Sequence, residues 1–161
     1  ALRHGPDPDR DRRNPIAYVT SSPYNLHGLL DLIFKENGLP SGPFFMTDWG
    51  LDEDKWLKRS HRDHKLDAIR HALSWYPDLP VLLIGDTTQH DVPVYVEAAL
   101  EHPGRIAMIL IHSLSSAKRM EQLRLEAEKL AGTGTAFHFF ADHAEATAIL
   151  AQAGWISADG I

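Results

Sequence analysis

Four consecutive aliphatic residues, Val81-Leu82-Leu83-Ile84, run straight into Gly85 and Asp86, and a second acid, Asp91, follows five residues later. The run is too short for a buried helix, and a glycine closes it. It reads as a strand covered on both faces, the kind found in parallel sheets. Parallel neighbours cannot be joined by tight turns, so such a strand commits the flanking chain to crossover helices. Acids just past the carboxyl end of the strand stand where open α/β sheets place their ligands. Two oxygen-donor side chains on one loop suit a hard divalent cation, Mg²⁺ above all.

The rest of the chain keeps to that alternation. Residues 16–19 read as a strand. Ser22-Pro23 reads as a helix start, serine as N-cap and proline in the first helical position. Leu26, Leu29, Leu30, Ile33 and Phe34 follow at helical spacing, and Asn37-Gly38 reads as the stop. Residues 44–47 form a second strand. The charged stretch 48–62, with Trp49 and Trp56, reads as a loop or small insertion. Leu66, Ile69 and Leu73 mark a helix that ends before Pro77. Strand 81–84, helix 94–101, strand 106–111, a helix carrying Met120, Leu123, Ala127 and Leu130, and strand 136–140 follow, with Asp142 capping a last helix. The expected fold is α/β: a mostly parallel, Rossmann-like sheet with helices on both faces, in a single domain over residues 1–161.

Composition removes several classes. Net charge is −6 with no basic block, so nucleic acid is not the expected partner. There is no cysteine, which removes thiol nucleophiles, disulfides and thiolate zinc sites. No apolar run approaches the ~20 residues that span a bilayer, and residues 3–13 are charged and proline-punctuated rather than leader-like. A cytoplasmic location is the default expectation.

Three strand ends bring useful chemistry. Thr20, Ser21 and Ser22 supply hydroxyls and N–H groups that can cradle a phosphate at a helix start. Lys65, beside His64 at the next helix start, supplies a fixed positive charge for a phosphate or a developing anion. Asp86 and Asp91 complete a set suited to Mg²⁺-assisted phosphoryl transfer. Each has a plainer reading: a helix cap, a solvated lysine, and turn chemistry beside Gly85. Their occurrence in order, each at a strand end or helix start, favours the functional one. A zinc site built from His61, His64 and His90 has no tight motif behind it. Phe44, Phe45, Trp49 and Trp56 with Lys55, Lys58 and Arg59 could line a lip for a lipid headgroup, but core packing plus a solvated charge run explains them more simply.

Tyr18-Val19-Thr20-Ser21-Ser22-Pro23-Tyr24-Asn25-Leu26 resembles a signature of the actin-patch type of phosphatidate phosphatase, within the haloacid dehalogenase superfamily. Gly42-Pro43, Asp48-Trp49-Gly50, His64-Lys65, Ile84-Gly85-Asp86-Thr87-Thr88-Gln89-His90-Asp91 and His102-Pro103-Gly104-Arg105-Ile106 are similar to the same family. The resemblance implies a haloacid dehalogenase fold and Mg²⁺-dependent hydrolysis of a phosphomonoester, with phosphatidate, at a membrane surface, as the substrate. It assigns Thr20 and Ser21 to hydrogen bonding of the phosphoryl group, Lys65 to charge stabilisation and orientation of the nucleophile, and Asp86 to direct Mg²⁺ ligation. Asp91 would bind through water or hold the surrounding shell.

The superfamily's Asp-x-Asp-x-Thr motif, which carries the nucleophile and the general acid, has no counterpart here at the end of an apolar strand. Asp7-Pro8-Asp9-Arg10-Asp11 has the acids but no strand before them. The expectation is therefore that the chain is the C-terminal portion of the catalytic domain. It would lack the first, central strand, between those ending at Thr20 and Asp86, and be nearly inactive alone. Ala1 to Gly5 would be the tail of the preceding helix, and the strand edges left open invite self-association. The alternative is a non-catalytic phosphate- or Mg²⁺-binding module of the same fold.

Overall fold

The computed structural model describes residues 2–6, 13–47 and 61–157. The chain forms two compact units, one comprising Ala1–Ala68 with Gly154–Ile161 and the other Ile69–Ala153. Every strand pair among the described residues is parallel, and helices separate the strands along the chain, so the α/β class expected from the sequence holds.

In the first unit, β1 (Tyr18–Pro23) pairs with β2 (Phe44–Thr47), Tyr18 opposite Phe44 and Pro23 opposite Thr47, with an irregularity between Val19 and Pro23. A short 3₁₀ turn (Tyr24–Leu26) and helix α1 (His27–Glu36) make the crossover. The expected helix start at Ser22-Pro23 is corrected. Both residues belong to β1, Pro23 is extended at φ −70° and ψ 150°, and Leu26 precedes α1 without a side-chain cap. The hydroxyls of Thr20 and Ser22 bond each other, and no side chain caps the turn that follows. The stop at Asn37-Gly38 is as expected: Gly38 takes φ +66°, the left-handed conformation in which an L side chain is strained. Tyr18, Phe34 and Phe44 pack ring on ring, with centroids 4.7–5.3 Å apart. Phe44 is thus a packing residue.

Helix α2 (His61–Trp75) begins in this unit, so Lys65 lies inside the helix, not ahead of it. The expected motif at Asp48-Trp49-Gly50, residues 48–60 of the loop or insertion expected over 48–62, and the acids of residues 7–11 lie outside the described residues, while residues 61–62 open α2 instead of closing that loop. Leu2 to Pro6 form turns rather than a helix end.

The second unit is a three-stranded sheet in the order β3 (Val81–Asp86), β4 (Ile106–His112), β5 (Ala136–Phe140). Its core is β4, where Ile106, Ile109, Leu110 and Ile111 are almost wholly buried. Helix α3 (Asp91–Glu101) packs on β3 and β4 and buries Val92, Val94, Tyr95, Val96, Ala98 and Ala99. Helix α4 (Ala117–Ala127) packs on α3, and α5 (His143–Gln152) packs on β5. The Asp142 side chain accepts the Glu145 N–H at 2.9 Å, the cap expected from the sequence. Among the described residues β1 pairs only with β2 and β3 only with β4, giving two sheets in place of one. No described helix is long and apolar enough to cross a membrane.

Candidate functional site

The end of β3 is held by side chains from the helix that follows it. In a parallel strand, alternate residues turn their backbone groups to opposite edges. The Thr87 N–H bonds the His112 carbonyl of β4, so the N–H of Asp86 and the carbonyl of Ile84 face the other edge. Asp91 Oδ2 accepts the Asp86 N–H at 3.0 Å, and the Tyr95 hydroxyl donates to the Ile84 carbonyl at 3.0 Å. Asp91 and Tyr95 are four residues apart on α3, one above the other on the same face. The groups on either side of Gly85 are thereby closed by two rungs of one helix. Gly85 is required between them, because a Cβ there would overlap the Asp91 carboxylate.

Asp86 forms the tip. Its Oδ1 accepts the Thr88 N–H at 2.7 Å and the Thr88 hydroxyl at 2.5 Å, an Asx turn that orients the carboxylate. Thr87 is buried at 2% exposure. Its Oγ1 accepts the Leu114 N–H at 2.8 Å, and its carbonyl accepts the Ser115 hydroxyl at 2.9 Å. That threonine ties the loop after β3 to the loop after β4. Asp91 is 4% exposed and Tyr95 is 9% exposed. Burial, first, and the charges of Asp91 and Asp86 push the Tyr95 phenol well above its ordinary range, so it stays a hydrogen-bond donor.

In the first unit, Thr20, Ser21 and Ser22 occupy consecutive positions within β1. Thr20 Oγ1 lies 3.0 Å from Ser22 Oγ and accepts the Ser22 N–H at 3.1 Å. Thr47, at the end of β2, donates its hydroxyl to the carbonyls of Ser21 (2.8 Å) and Ser22 (3.2 Å). Thr47 therefore shapes the Thr20–Ser22 segment from behind. Lys65 is buried at 8% exposure on α2, and a ring nitrogen of the adjacent His64 lies 3.4 Å from the Phe45 carbonyl.

Of the residues singled out from the sequence, Thr20 and Ser22 bond each other towards the end of β1, Asp91 bonds Asp86 at the end of β3, and Lys65 lies on α2. Thr47, Thr87, Thr88 and Tyr95 were not singled out. For Tyr95 the signal was present in its four-residue offset from Asp91 on a helix. Among the described residues no three His, Asp or Glu side chains are grouped as a metal cage, and the His61 side chain of the expected histidine zinc site lies outside the described residues. Mg²⁺ does not need one: it keeps waters and binds through one or two carboxylates and substrate phosphate oxygens. The Asp86 carboxylate, at a half-buried strand tip and oriented by Thr88, fits that chemistry.

A parallel α/β chain with a hydroxyl-rich strand end, a buried lysine and an acidic strand tip has the parts of a phosphoryl-transfer fold. The family described as "Phosphatidate phosphatase APP1, catalytic domain" matches residues 4–113, a span that holds all of these residues, and the chain belongs to that family. It is 29% identical over 100 residues to phosphatidate phosphatase APP1 of Saccharomyces cerevisiae. The match covers 62% of this chain but only 17% of the yeast protein, so the chain spans a small part of that relative's length. No solved structure matches the chain.

Proposed function

We propose that this chain contributes most of the catalytic domain of a Mg²⁺-dependent phosphatidate phosphatase of the haloacid dehalogenase superfamily, which converts phosphatidate to diacylglycerol and phosphate. The observation that carries the reading is the end of β3, where Asp86 is oriented by Thr88 and backed by Asp91. Family membership supports the phosphatase assignment. Asp86 is the ligand for Mg²⁺, and Asp91 holds the strand tip beneath it. The cation would neutralise charge on the phosphoryl oxygens. Thr20 and Ser21 donate hydrogen bonds to the phosphoryl group, and Lys65 balances its charge.

The nucleophile comes from an Asp-x-Asp-x-Thr strand outside these 161 residues. Two observations support this. None of the described strands ends in an Asp-x-Asp pair, and β1 and β3 each carry a single partner. An apolar strand paired to either edge would supply the second strand partner that β1 and β3 lack among the described residues. The first aspartate would attack phosphorus and form an aspartyl-phosphate as the alcohol leaves, the second aspartate would protonate that alcohol, and water would then release phosphate. The units described above belong to one catalytic domain in this reading. The enzyme is cytoplasmic and meets phosphatidate peripherally at a membrane surface.

The same lack of an Asp-x-Asp strand end favours a second reading, a non-catalytic module that binds Mg²⁺ and phosphate. Calorimetry of the complete natural protein with Mg²⁺ and orthovanadate, beside phosphate release from phosphatidate micelles, separates the two. Binding together with turnover that stops in EDTA is the expected result. Binding without turnover establishes the module, and neither binding nor turnover overturns both.

A further inference from the structure

We infer, on the Mg²⁺ reading of Asp86 given above, that His112 is a positioning residue of the metal site: from the strand beside Asp86, its Nδ1 accepts a hydrogen bond from a water on the cation that Asp86 holds.

The carboxyl end of the second sheet carries a row of three side chains. Asp86 on β3 pairs with His112 on β4, and His112 pairs with Phe140 on β5. Paired residues of neighbouring parallel strands share the phase of the pleat, so their side chains leave on the same face of the sheet. The rings of His112 and Phe140 do so, stacking with centroids 4.9 Å apart and 6° between their planes. Asp86 is the neighbour of His112 on the other side. β4 already has a strand on each edge, so a strand added along the far edge of β3 leaves this row intact.

The imidazole is held in one orientation. Buried Phe140 supports its face, and Nε2 lies 3.1 Å from the Ala141 carbonyl. A carbonyl only accepts, so Nε2 carries a proton and Nδ1 is the acceptor of the neutral ring. Among the described residues Nδ1 has no hydrogen-bond partner, and it is not sealed in the core. Imidazoles at metal sites are commonly fixed in this way, with one nitrogen donating to a carbonyl and the other left for the site. Packing alone does not require an imidazole, because a phenylalanine would stack on Phe140 as well.

Reach decides what Nδ1 binds. Mg²⁺ holds its oxygens at about 2.1 Å, and each bound water reaches an acceptor about 2.8 Å further out. An acceptor of such a water therefore stands up to roughly 5 Å from the cation, close to the spacing of about 4.8 Å between neighbouring strands. Mg²⁺ also keeps several waters and takes oxygen in preference to imidazole nitrogen. Reach and ligand preference both place a water between Nδ1 and the cation.

The test uses the complete natural protein and three variants. His112→Phe keeps the stack on Phe140 and removes both nitrogens. His112→Asn loses the stack but keeps an acceptor branching from Cγ, as Nδ1 does. Asp86→Asn removes the charge of the ligand itself. Mg²⁺ binding is read by calorimetry and folding by thermal melting. His112→Phe is expected to weaken Mg²⁺ binding by about 10-fold, the lower end of the range for a lost outer hydrogen bond, with His112→Asn within about threefold of wild type despite its poorer packing. If His112→Phe binds Mg²⁺ as wild type does, or if His112→Asn binds as weakly as His112→Phe, the ring serves packing and the inference fails. Pulsed electron paramagnetic resonance of the wild type, with Mn²⁺ in place of Mg²⁺, needs no variant to fold: a weak coupling to an imidazole nitrogen is expected, and its absence overturns the inference. If Asp86→Asn binds Mg²⁺ as wild type does, the Mg²⁺ reading itself fails, whatever His112→Phe does.

Discussion

The Asp91 carboxylate occupies the space that a side chain on Gly85 would need. The same carboxylate holds the Asp86 N–H, so glycine at 85 and aspartate at 91 form one device. Gly85→Ala is expected to push Asp91 off that N–H. Overpacking of this kind costs about 1–3 kcal/mol, readable as a fall in unfolding free energy by urea titration. Mg²⁺ affinity should fall with it, and an alanine variant with wild-type stability and affinity would contradict the packing described.

Thr47 should matter to phosphate binding without touching phosphate. Its hydroxyl serves the carbonyls of Ser21 and Ser22, and Thr47→Val removes that donor at constant shape. A lost hydrogen bond of this type costs about 1 kcal/mol. Orthovanadate binding should weaken several-fold in Thr47→Val and recover in Thr47→Ser, which keeps the hydroxyl. Equal binding by valine and serine variants would show that the contact does not shape the segment.

Much of this was legible in the sequence because the signals were local. An aliphatic run as short as residues 106–111, closed off from the helix-period segments on either side, reads as a strand, and here it became the buried core of the second sheet. Asp142 announced a cap because capping needs only its own turn. Ser22-Pro23 misled for a physical reason: the serine hydroxyl that would cap a helix also bonds a neighbouring threonine, and here Thr20 took it while Thr47 held the strand carbonyls. Thr47 is 26 residues from Ser21, and no local pattern reports such a contact. Tyr95 lay between these cases. Its offset from Asp91 was readable, but that both would turn towards the edge of β3 was not.

The ion pair between Arg70 and Glu101 gives the second unit a mild acid sensitivity. Arg70 reaches Glu101 with its Nη2 at 2.7 Å and its Nε at 3.0 Å. That hydrogen bonding, first, and the Arg70 and His102 charges hold the Glu101 pKa below its ordinary 4.5, against a smaller opposing effect of burial. Because the folded pKa is the lower one, the stabilisation is complete above the unfolded value and is lost as pH falls through the folded value. The pair is largely solvent-exposed, so its worth is at most about 1 kcal/mol. Arg70→Ala should lower the melting temperature slightly at neutral pH, and the difference should vanish once Glu101 is protonated. A difference that persists in acid would point to packing by the arginine stem instead.

The most direct test of the central claim is Asp86→Asn in the complete natural protein, assayed for Mg²⁺-dependent phosphate release from phosphatidate micelles. The substitution keeps the size of the side chain and one oxygen for Thr88 while removing the charge. The account predicts an unchanged fold by circular dichroism and a loss of turnover of at least about 100-fold, the scale of losing one electrostatic stabiliser of the transition state. Wild-type turnover from Asp86→Asn would contradict it.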